Sequence, residues 1–168
     1  MSSTVFCFDF QASIYDIYQT GCVPRYREMI STAVDWLARS LPGRMDCRLL
    51  DLGCGTGNTT LAVFDRFPGS RVACLDGSRE MLAAARKKLE SFPVDFHHKN
   101  LSSDDWHASW SGDTFDGAIS TLVLEHLPFD NYRKVLRDLL RIMKQGASLI
   151  AVEGYAGEMI QRVYFEEM

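Results

Sequence analysis

Residues 49–60 read LLDLGCGTGNTT, an apolar run that ends in three alternating glycines, Gly53, Gly55 and Gly57. Glycine is favoured where the backbone needs a positive φ angle or where another group must come very close to it. The stretch is therefore either a tight structural turn or a cradle whose backbone lies against a ligand. The segments around it are needed to decide between these two interpretations.

Apolar periodicity on both sides of the glycine turn predicts alternating strands and helices. Short apolar runs predict five strands, at 47–53, 71–76, 94–100, 114–121 and 147–154. Helical spacing predicts a helix before the first strand, helices after the first, second and fourth strands, and a short last helix at about 156–166. Near-continuously apolar strands separated by helices are typical of a parallel sheet covered on both faces. We therefore predict a doubly wound, mostly parallel α/β fold in a single domain, residues 1–168, with an N-terminal lid and helix segment (1–45) before a core (46–168).

The ends of the predicted helices follow from capping residues. Ser78 is a suitable N-cap for a helix over 78–89. Asp130 is the expected N-cap of a later helix that continues to Gly146, with Leu140 and Met143 on its apolar face.

Two acidic residues accompany the glycine turn. Asp51 lies two residues before Gly53, and Asp76 ends the second predicted strand. In doubly wound sheets, ligands bind beyond the carboxyl ends of the strands, where an acid can accept hydrogen bonds from ribose hydroxyls. The turn is not a dinucleotide fingerprint, because Asn58 stands where the third glycine would fall, and no Lys-Ser/Thr follows to make a P-loop. The combination favours a nucleoside ligand that carries no pyrophosphate beside Asp51.

Three segments in order resemble the class I S-adenosylmethionine-dependent methyltransferases. They are LLDLGCGTGNTT (49–60), CLDGSREMLAAARKKL (74–89) and FDGAISTLVLEHLP (115–128), and the resemblance extends over residues 9–154. It implies a Rossmann-like methyltransferase fold and S-adenosyl-L-methionine as cofactor. The segment FDFQASIYDIYQTGCVPRYREM (8–29) is also similar to a subgroup that includes the carboxy-S-adenosylmethionine synthases.

The resemblance implies a role for individual residues. The methionine part of the cofactor would lie against Gly53, Cys54, Gly55 and Gly57, with Asp51 acting through the amine or a water. Asp76 would hold the ribose, and the adenine would be flanked by Gly77, Ser78, Met81, Asn100 and Leu101. Ser120 and Thr121 would lie beneath the methionine, and lid or substrate contacts are expected from Tyr15, Tyr18 and Arg25.

Several other side chains could either take part in catalysis or binding or have a purely structural role. His126 is a candidate general base on the acceptor, or else it caps a helix or packs below the ligand, and Glu125 beside it has no stronger claim. Trp106 either stacks on adenine or packs its own loop. His97 and His98 are expected to be structural, inside the third strand, and Lys87-Lys88 to be a solvated helix face.

Two departures from the family pattern affect the expected function. Asn100 replaces the usual acid near adenine, and the chain stops soon after the fifth strand, so the usual C-terminal antiparallel hairpin is expected to be missing. An uncovered edge strand favours pairing with another chain. We therefore predict a homodimer, with the alternative that the last helix, which carries Met159, Ile160 and Val163, folds back over its own sheet.

Composition limits the class of protein and its partners. The chain has 168 residues, 46% hydrophobic and 24% charged, which is ordinary for a soluble globular protein. A net charge of -4 argues against broad nucleic-acid binding, and no apolar run is long enough to span a membrane. Five cysteines without a CxxC pair argue against zinc and against a disulfide framework, so no metal site and a cytoplasmic location are expected.

The favoured function is in-line methyl transfer from S-adenosylmethionine to a small-molecule substrate. Two alternatives stay open at this point. One is an enzyme that uses the same cofactor for different chemistry, as in the carboxy-S-adenosylmethionine synthases, with Arg25 as the anchor to inspect. The other is a non-catalytic module that binds S-adenosylmethionine.

Overall fold

A computed structural model describes residues 14–110, 112 and 114–154. Within these residues the structure contains five helices, one 3₁₀ turn and five strands. The helices are α1 (Tyr15–Cys22), α2 (Tyr26–Ser40), α3 (Asn58–Arg66), α4 (Arg79–Lys88) and α5 (Phe129–Leu139), and a 3₁₀ turn spans Leu124–His126. The strands are β1 (Arg48–Leu52), β2 (Arg71–Asp76), β3 (Val94–His98), β4 (Phe115–Thr121) and β5 (Met143–Val152).

The five strands form one parallel sheet in the order β3-β2-β1-β4-β5. The chain builds outward from β1 to β3 on one side and then crosses to β4 and β5 on the other. This reversal places the switch in strand order between β1 and β4, where ligands of doubly wound sheets bind. The predicted doubly wound α/β fold is therefore confirmed.

Burial of both faces of β1 explains its three leucines, Leu49, Leu50 and Leu52. Leu49 belongs to the core beneath α2, α3 and α4, whereas Leu50 and Leu52 belong to the core on the opposite face, which includes Val135 of α5. Successive side chains of a strand point to opposite faces, so a strand buried on both sides needs apolar residues at nearly every position. Asp51, on the same face as Leu49, is the buried exception.

Several predicted boundaries are confirmed and others are wrong. Ser78 is the N-cap of α4, and its hydroxyl accepts a hydrogen bond from the Met81 backbone N–H. In contrast, Pro128 rather than Asp130 occupies the N-cap position of α5. Strand β3 also ends two residues earlier than predicted, at His98 instead of Asn100.

The prediction that α5 continues to Gly146 is wrong. The helix ends at Leu139, and the strand β5 already begins at Met143. From Met143 to Ser148 the strand advances five residues while its partner advances only two, from Phe115 to Gly117. Gly146, with φ +79°, lies within this bulge, where it permits a positive φ inside the strand instead of ending a helix.

The predictions for the chain ends concern residues that the structure does not describe. The short helix at 156–166, with Met159, Ile160 and Val163, and the expected lack of an antiparallel hairpin lie outside the described residues. Within the described sheet, β5 is an edge strand. The homodimer stays a prediction. No helix in the described ranges is both long and apolar enough to cross a membrane.

Candidate functional site

A cavity of about 370 Å³ opens at the carboxyl ends of the strands, next to the switch in strand order. This volume lies within the range of small-molecule sites, which is about 300–1,000 Å³. Several predicted site residues line the cavity, namely Tyr15, Gly53, Gly55, Asp76, Gly77, Ser78, Met81, Asn100, Leu101 and His126. Residues from five separate segments of the sequence therefore converge on one space.

The glycine turn forms one wall of the cavity. The Gly53 and Cys54 backbone N–H groups both donate to the Leu75 carbonyl, at 2.7 and 3.0 Å, which ties the turn to the end of β2. Gly53, Gly55 and Gly57 all have positive φ angles, of 67°, 53° and 85°. The positive φ angles confirm a tight turn that is strained for other residue types, and Gly53 and Gly55 line the cavity, where the ligand cradle stays a prediction.

Asp76 joins the glycine turn to the start of α4. One carboxylate oxygen accepts the Gly55 backbone N–H and the other accepts the Ser78 backbone N–H, each at 2.8 Å. Asp76 also lines the cavity, so its carboxylate lies where a ligand could contact it. The geometry fits a ligand with a pair of hydroxyl groups, such as a ribose.

Asp51 lies beneath the turn and not in the cavity wall. Its side chain is buried, it accepts a hydrogen bond from the Thr60 hydroxyl, and its other carboxylate oxygen has no partner among the described residues. Burial, partly offset by the Thr60 bond and reinforced by the charge of Asp76, raises the pKa of Asp51 to about 7. Asp51 is therefore not positioned to contact a ligand in the cavity directly.

This buried acid gives a pH-dependent stability that we expect to measure. Because the pKa of Asp51 in the folded state lies above the ordinary aspartate value of about 3.9, the folded state holds the proton more tightly between about pH 4 and 7. The wild type should therefore lose stability relative to Asp51→Asn as the pH rises through that window, by at most about 1.4 kcal/mol per pH unit. Urea unfolding of both proteins from pH 4.5 to 8 tests this, and a constant difference across the range would contradict it.

The adenine side of the predicted site is built from α4 and the loop after β3. Met81 and Leu101 are buried and line the cavity, and Gly77 and Ser78 form its edge. The Asn100 side-chain oxygen accepts the Ser102 backbone N–H at 2.9 Å, which stabilises the loop after β3. Asn100 also lines the cavity. The proposed acceptor role of Asn100 toward an amine would use the second lone pair of that oxygen.

Ser120 and Thr121 end β4 but do not line the main cavity. The Thr121 and Thr59 hydroxyls are 2.8 Å apart, and both residues line a small adjoining space of about 10 Å³, roughly the volume of one water. Ser120 is buried and donates to Glu153 at 3.4 Å. The small space shares Tyr15, Gly53 and Gly55 with the main cavity and also contacts Cys54.

The three residues expected to contact the substrate or form a lid lie in different environments. Tyr15 lines both spaces, and burial, followed by the nearby Tyr26 and Asp76, raises its pKa, so the hydroxyl stays protonated at neutral pH. Tyr18 is exposed and lines neither space. Arg25 is exposed and pairs with Glu28 at 2.8 Å, also away from both spaces. Only the first of the three is placed to touch a ligand within the described residues.

The structure shows where the candidate tryptophan and histidines lie, and the role of His126 stays a prediction. Trp106 is fully buried and donates to Asp138 at 3.1 Å, so it packs the loop against α5 and does not line the cavity. His97 contacts the Trp110 ring edge-on, and His98, at the end of β3, lies 3.0 Å from the Gly77 carbonyl. His126 lines the cavity, with Glu125 at 3.7 Å.

The sequence interpretation missed one wall of the cavity, which follows β4. This wall consists of Leu122, Val123, Leu127, Pro128 and Asn131. Leu122 has a φ of +57°, and the Val123 backbone N–H donates to Glu153 at 2.8 Å, which fixes the turn. The apolar run LVLEHLP has no helical or strand periodicity, and that irregularity is the signal that could have marked it as part of a site.

Comparison with known proteins agrees with this geometry. A family model described as "Methyltransferase domain" matches residues 49–146. The demethylmenaquinone methyltransferase of Thermus thermophilus is 32% identical over 127 residues, which cover 72% of this chain and 56% of that protein. The carboxy-S-adenosyl-L-methionine synthase of Campylobacter lari is 24% identical over 144 residues, which cover 84% of this chain and 58% of that protein.

A solved structure extends the likeness to the fold. The protein in the DhpI-SAM-HEP complex is 26% identical and has a TM-score of 0.68, over 99% of this chain and 70% of that one. The chain spans about half the length of the curated relatives it matches. Because the family model covers more than half of the 168 residues, this chain belongs to the methyltransferase-domain family, whose cofactor is S-adenosylmethionine.

Proposed function

We propose that this chain transfers the methyl group of S-adenosylmethionine to a small-molecule acceptor. The observation that carries the proposal is the division of the cavity into two parts. Asp76, Gly77 and Ser78 supply acceptors and bare backbone on one side, and Leu122, Val123 and Leu127 form an apolar wall on the other. The first side suits the nucleoside of the cofactor and the second suits an acceptor.

In such a reaction the chain's residues mainly bind and orient the two reactants. The sulfonium of the cofactor supplies an activated methyl group, which an acceptor lone pair takes in line as the carbon–sulfur bond breaks. The protein has to hold the two partners in line and exclude water. His126 is positioned to take the proton that an acceptor hydroxyl or amine loses, because it lines the cavity next to the apolar wall.

The lining also favours one kind of acceptor. No lysine or arginine is among the described residues that line the cavity. An acceptor with several carboxylates would therefore find no cationic partner in this part of the chain, whereas an apolar body would lie against Leu122, Leu127 and Pro128. We infer a small acceptor with an apolar body and one nucleophilic hydroxyl, amine or carbon.

Turnover to S-adenosylhomocysteine with a panel of acceptors tests the proposal. Phenols, hydroxylated quinols and hydrophobic amines are expected to give product, and tricarboxylates are expected to give none, with mass spectrometry showing an added mass of one methylene. His126→Gln should keep cofactor affinity and lower kcat by about 10²-fold or more if its proton role is correct.

The outcomes separate the rival functions. Tight cofactor binding without turnover of any acceptor would favour the non-catalytic module and overturn the proposal. A product mass that corresponds to a carboxylated cofactor would favour synthase-like chemistry. The position of Arg25 gives that second function no support, because its guanidinium pairs with Glu28 away from the cavity.

A further inference from the structure

Three separate elements meet at the carboxylate of Asp16, in the first turn of α1. One carboxylate oxygen accepts the Thr56 hydroxyl and the Asn58 side-chain amide, the latter at 2.9 Å. The other oxygen receives the Lys88 ammonium at 2.7 Å. Thr56 and Asn58 belong to the glycine turn and the start of α3, and Lys88 ends α4. We call these four residues the Asp16 clasp.

The clasp is closed by contacts among its own members. Lys88 also donates to the Thr56 hydroxyl at 3.2 Å and to the Asn58 side-chain oxygen. The ammonium therefore does not lie on a solvated helix face, as the sequence suggested for Lys87-Lys88, although Lys87 itself is exposed. Burial of the Asp16 carboxyl is outweighed by its bonds to Lys88, Thr56 and Asn58, which together lower its pKa.

Polar contacts matter here because α1 buries little apolar surface. It has eight residues, of which Gln19 is the buried one, and Ile17 and Tyr18 are 77% and 54% exposed. A helix of this length is not stable by itself in water, and its docking normally depends on an apolar face. Among the described residues, the Asp16 clasp therefore provides side-chain hydrogen bonds and an ion pair that connect α1 with the glycine turn, α3 and α4.

The element that the clasp holds is the one that carries Tyr15. Tyr15 precedes Asp16, lines both spaces of the site, and comes close enough to Gly55 that an added Cβ there would lie 3.7 Å from its ring. We propose that Asp16 is a positioning residue: the clasp with Lys88 holds Tyr15 over the cofactor cavity, and the cofactor leaves when the clasp opens. This inference rests on the proposed cofactor site.

The clasp has the properties of a reversible contact. The side chains of Lys88 and Asp16 are 25% and 46% exposed, so solvent and salt screen their attraction. Partly exposed ion pairs of this kind contribute little net stability. We therefore expect the clasp to open at a small cost in free energy, and added salt should make opening faster.

Dissociation of S-adenosylhomocysteine from the full chain, followed by stopped-flow fluorescence, is the test. Asp16→Asn and Lys88→Met are expected to raise the dissociation rate about five-fold or more, with a smaller change in the association rate. Lys88→Arg should restore most of the wild-type rate because it keeps the charge. Lys87→Met is the matched control, since it removes the same charge from an exposed neighbour on the same helix.

A double-mutant cycle with Tyr15→Ala distinguishes positioning from general stability. If the clasp acts through Tyr15, Asp16→Asn should change the dissociation rate much less in the Tyr15→Ala background. An unchanged dissociation rate in Asp16→Asn, with the wild type binding normally, would overturn the clasp alone. An equal effect in both backgrounds would also overturn it. A wild type that binds neither S-adenosylmethionine nor S-adenosylhomocysteine would overturn the clasp and the proposed function together.

Discussion

Replacing Asp76 by alanine is expected to weaken binding of S-adenosylhomocysteine by roughly 100-fold or more. The carboxylate accepts the Gly55 and Ser78 backbone N–H groups, so its loss leaves two donors unpaired and loosens the glycine turn. It would also remove the proposed acceptor of the ribose hydroxyls. Hydrogen bonds to a charged group contribute about 1.5–3 kcal/mol each, and every 1.4 kcal/mol is ten-fold in affinity.

Calorimetric titration measures this effect. Asp65→Ala is a suitable control, because Asp65 is an exposed acid on α3 and lies outside the cavity lining. A dissociation constant that stays within two-fold of the wild type for Asp76→Ala would show that the ribose does not depend on this carboxylate. Equal weakening by the control would instead indicate a general effect of charge.

Gly53→Ala is expected to reduce the free energy of unfolding by about 2–5 kcal/mol and to abolish most cofactor binding. Gly53 has a φ of +67°, which costs an L-residue roughly 1–2 kcal/mol. In addition, the new Cβ would stand 2.4 Å from both Val123 methyl carbons, and overpacking of that kind costs about 1–3 kcal/mol more. The relief of this clash would displace the wall that faces the acceptor.

The chain offers a closely matched control for this substitution. Gly43 has a φ of +73°, but a Cβ added there would have nothing within 4 Å. Gly43→Ala should therefore show the backbone cost alone, and urea unfolding of the two variants separates strain from contact. Combining Gly53→Ala with Val123→Ala should recover part of the lost stability. Equal losses for Gly43→Ala and Gly53→Ala would mean that the contact with Val123 is unimportant.

Local patterns predicted most of the elements correctly because they report what a strand or helix must bury. Met81, Leu82, Ala85 and Leu89 repeat at helical spacing and all are buried on one side of α4. The end of α5 was mispredicted for a related reason. Leu140 continues the apolar spacing but is 80% exposed, and Met143 extends it but pairs with Phe115 in β5. Apolar residues near a junction fit both kinds of element, and only strand pairing decides between them.

The candidate site divides in the same way. The glycine turn, Asp76 and the N-cap Ser78 could be found from the sequence, because a turn after a strand, an acid at a strand end and an N-cap are all local features. The place of Met81 in the site was expected only from the family resemblance. For the lining by Leu122 and Val123 the sequence offers only the irregular apolar run after β4 as a signal. The partners of Asp16 could not be predicted, since they depend on which distant segments meet in the fold.

The sequence by itself determined the doubly wound fold, the family and the carboxyl-end location of the site, because alternating apolar strands bury both faces of a parallel sheet and leave only its ends open to a ligand. Tertiary structure decided the environment of each charge. It buried Asp51 against Thr60 beneath the turn, placed Asp76 between two backbone donors, and drew Lys88 to Asp16 across 72 residues of sequence. A carboxylate's pKa and partners depend on the groups within a few ångströms of it, and those groups come together only when the chain has folded.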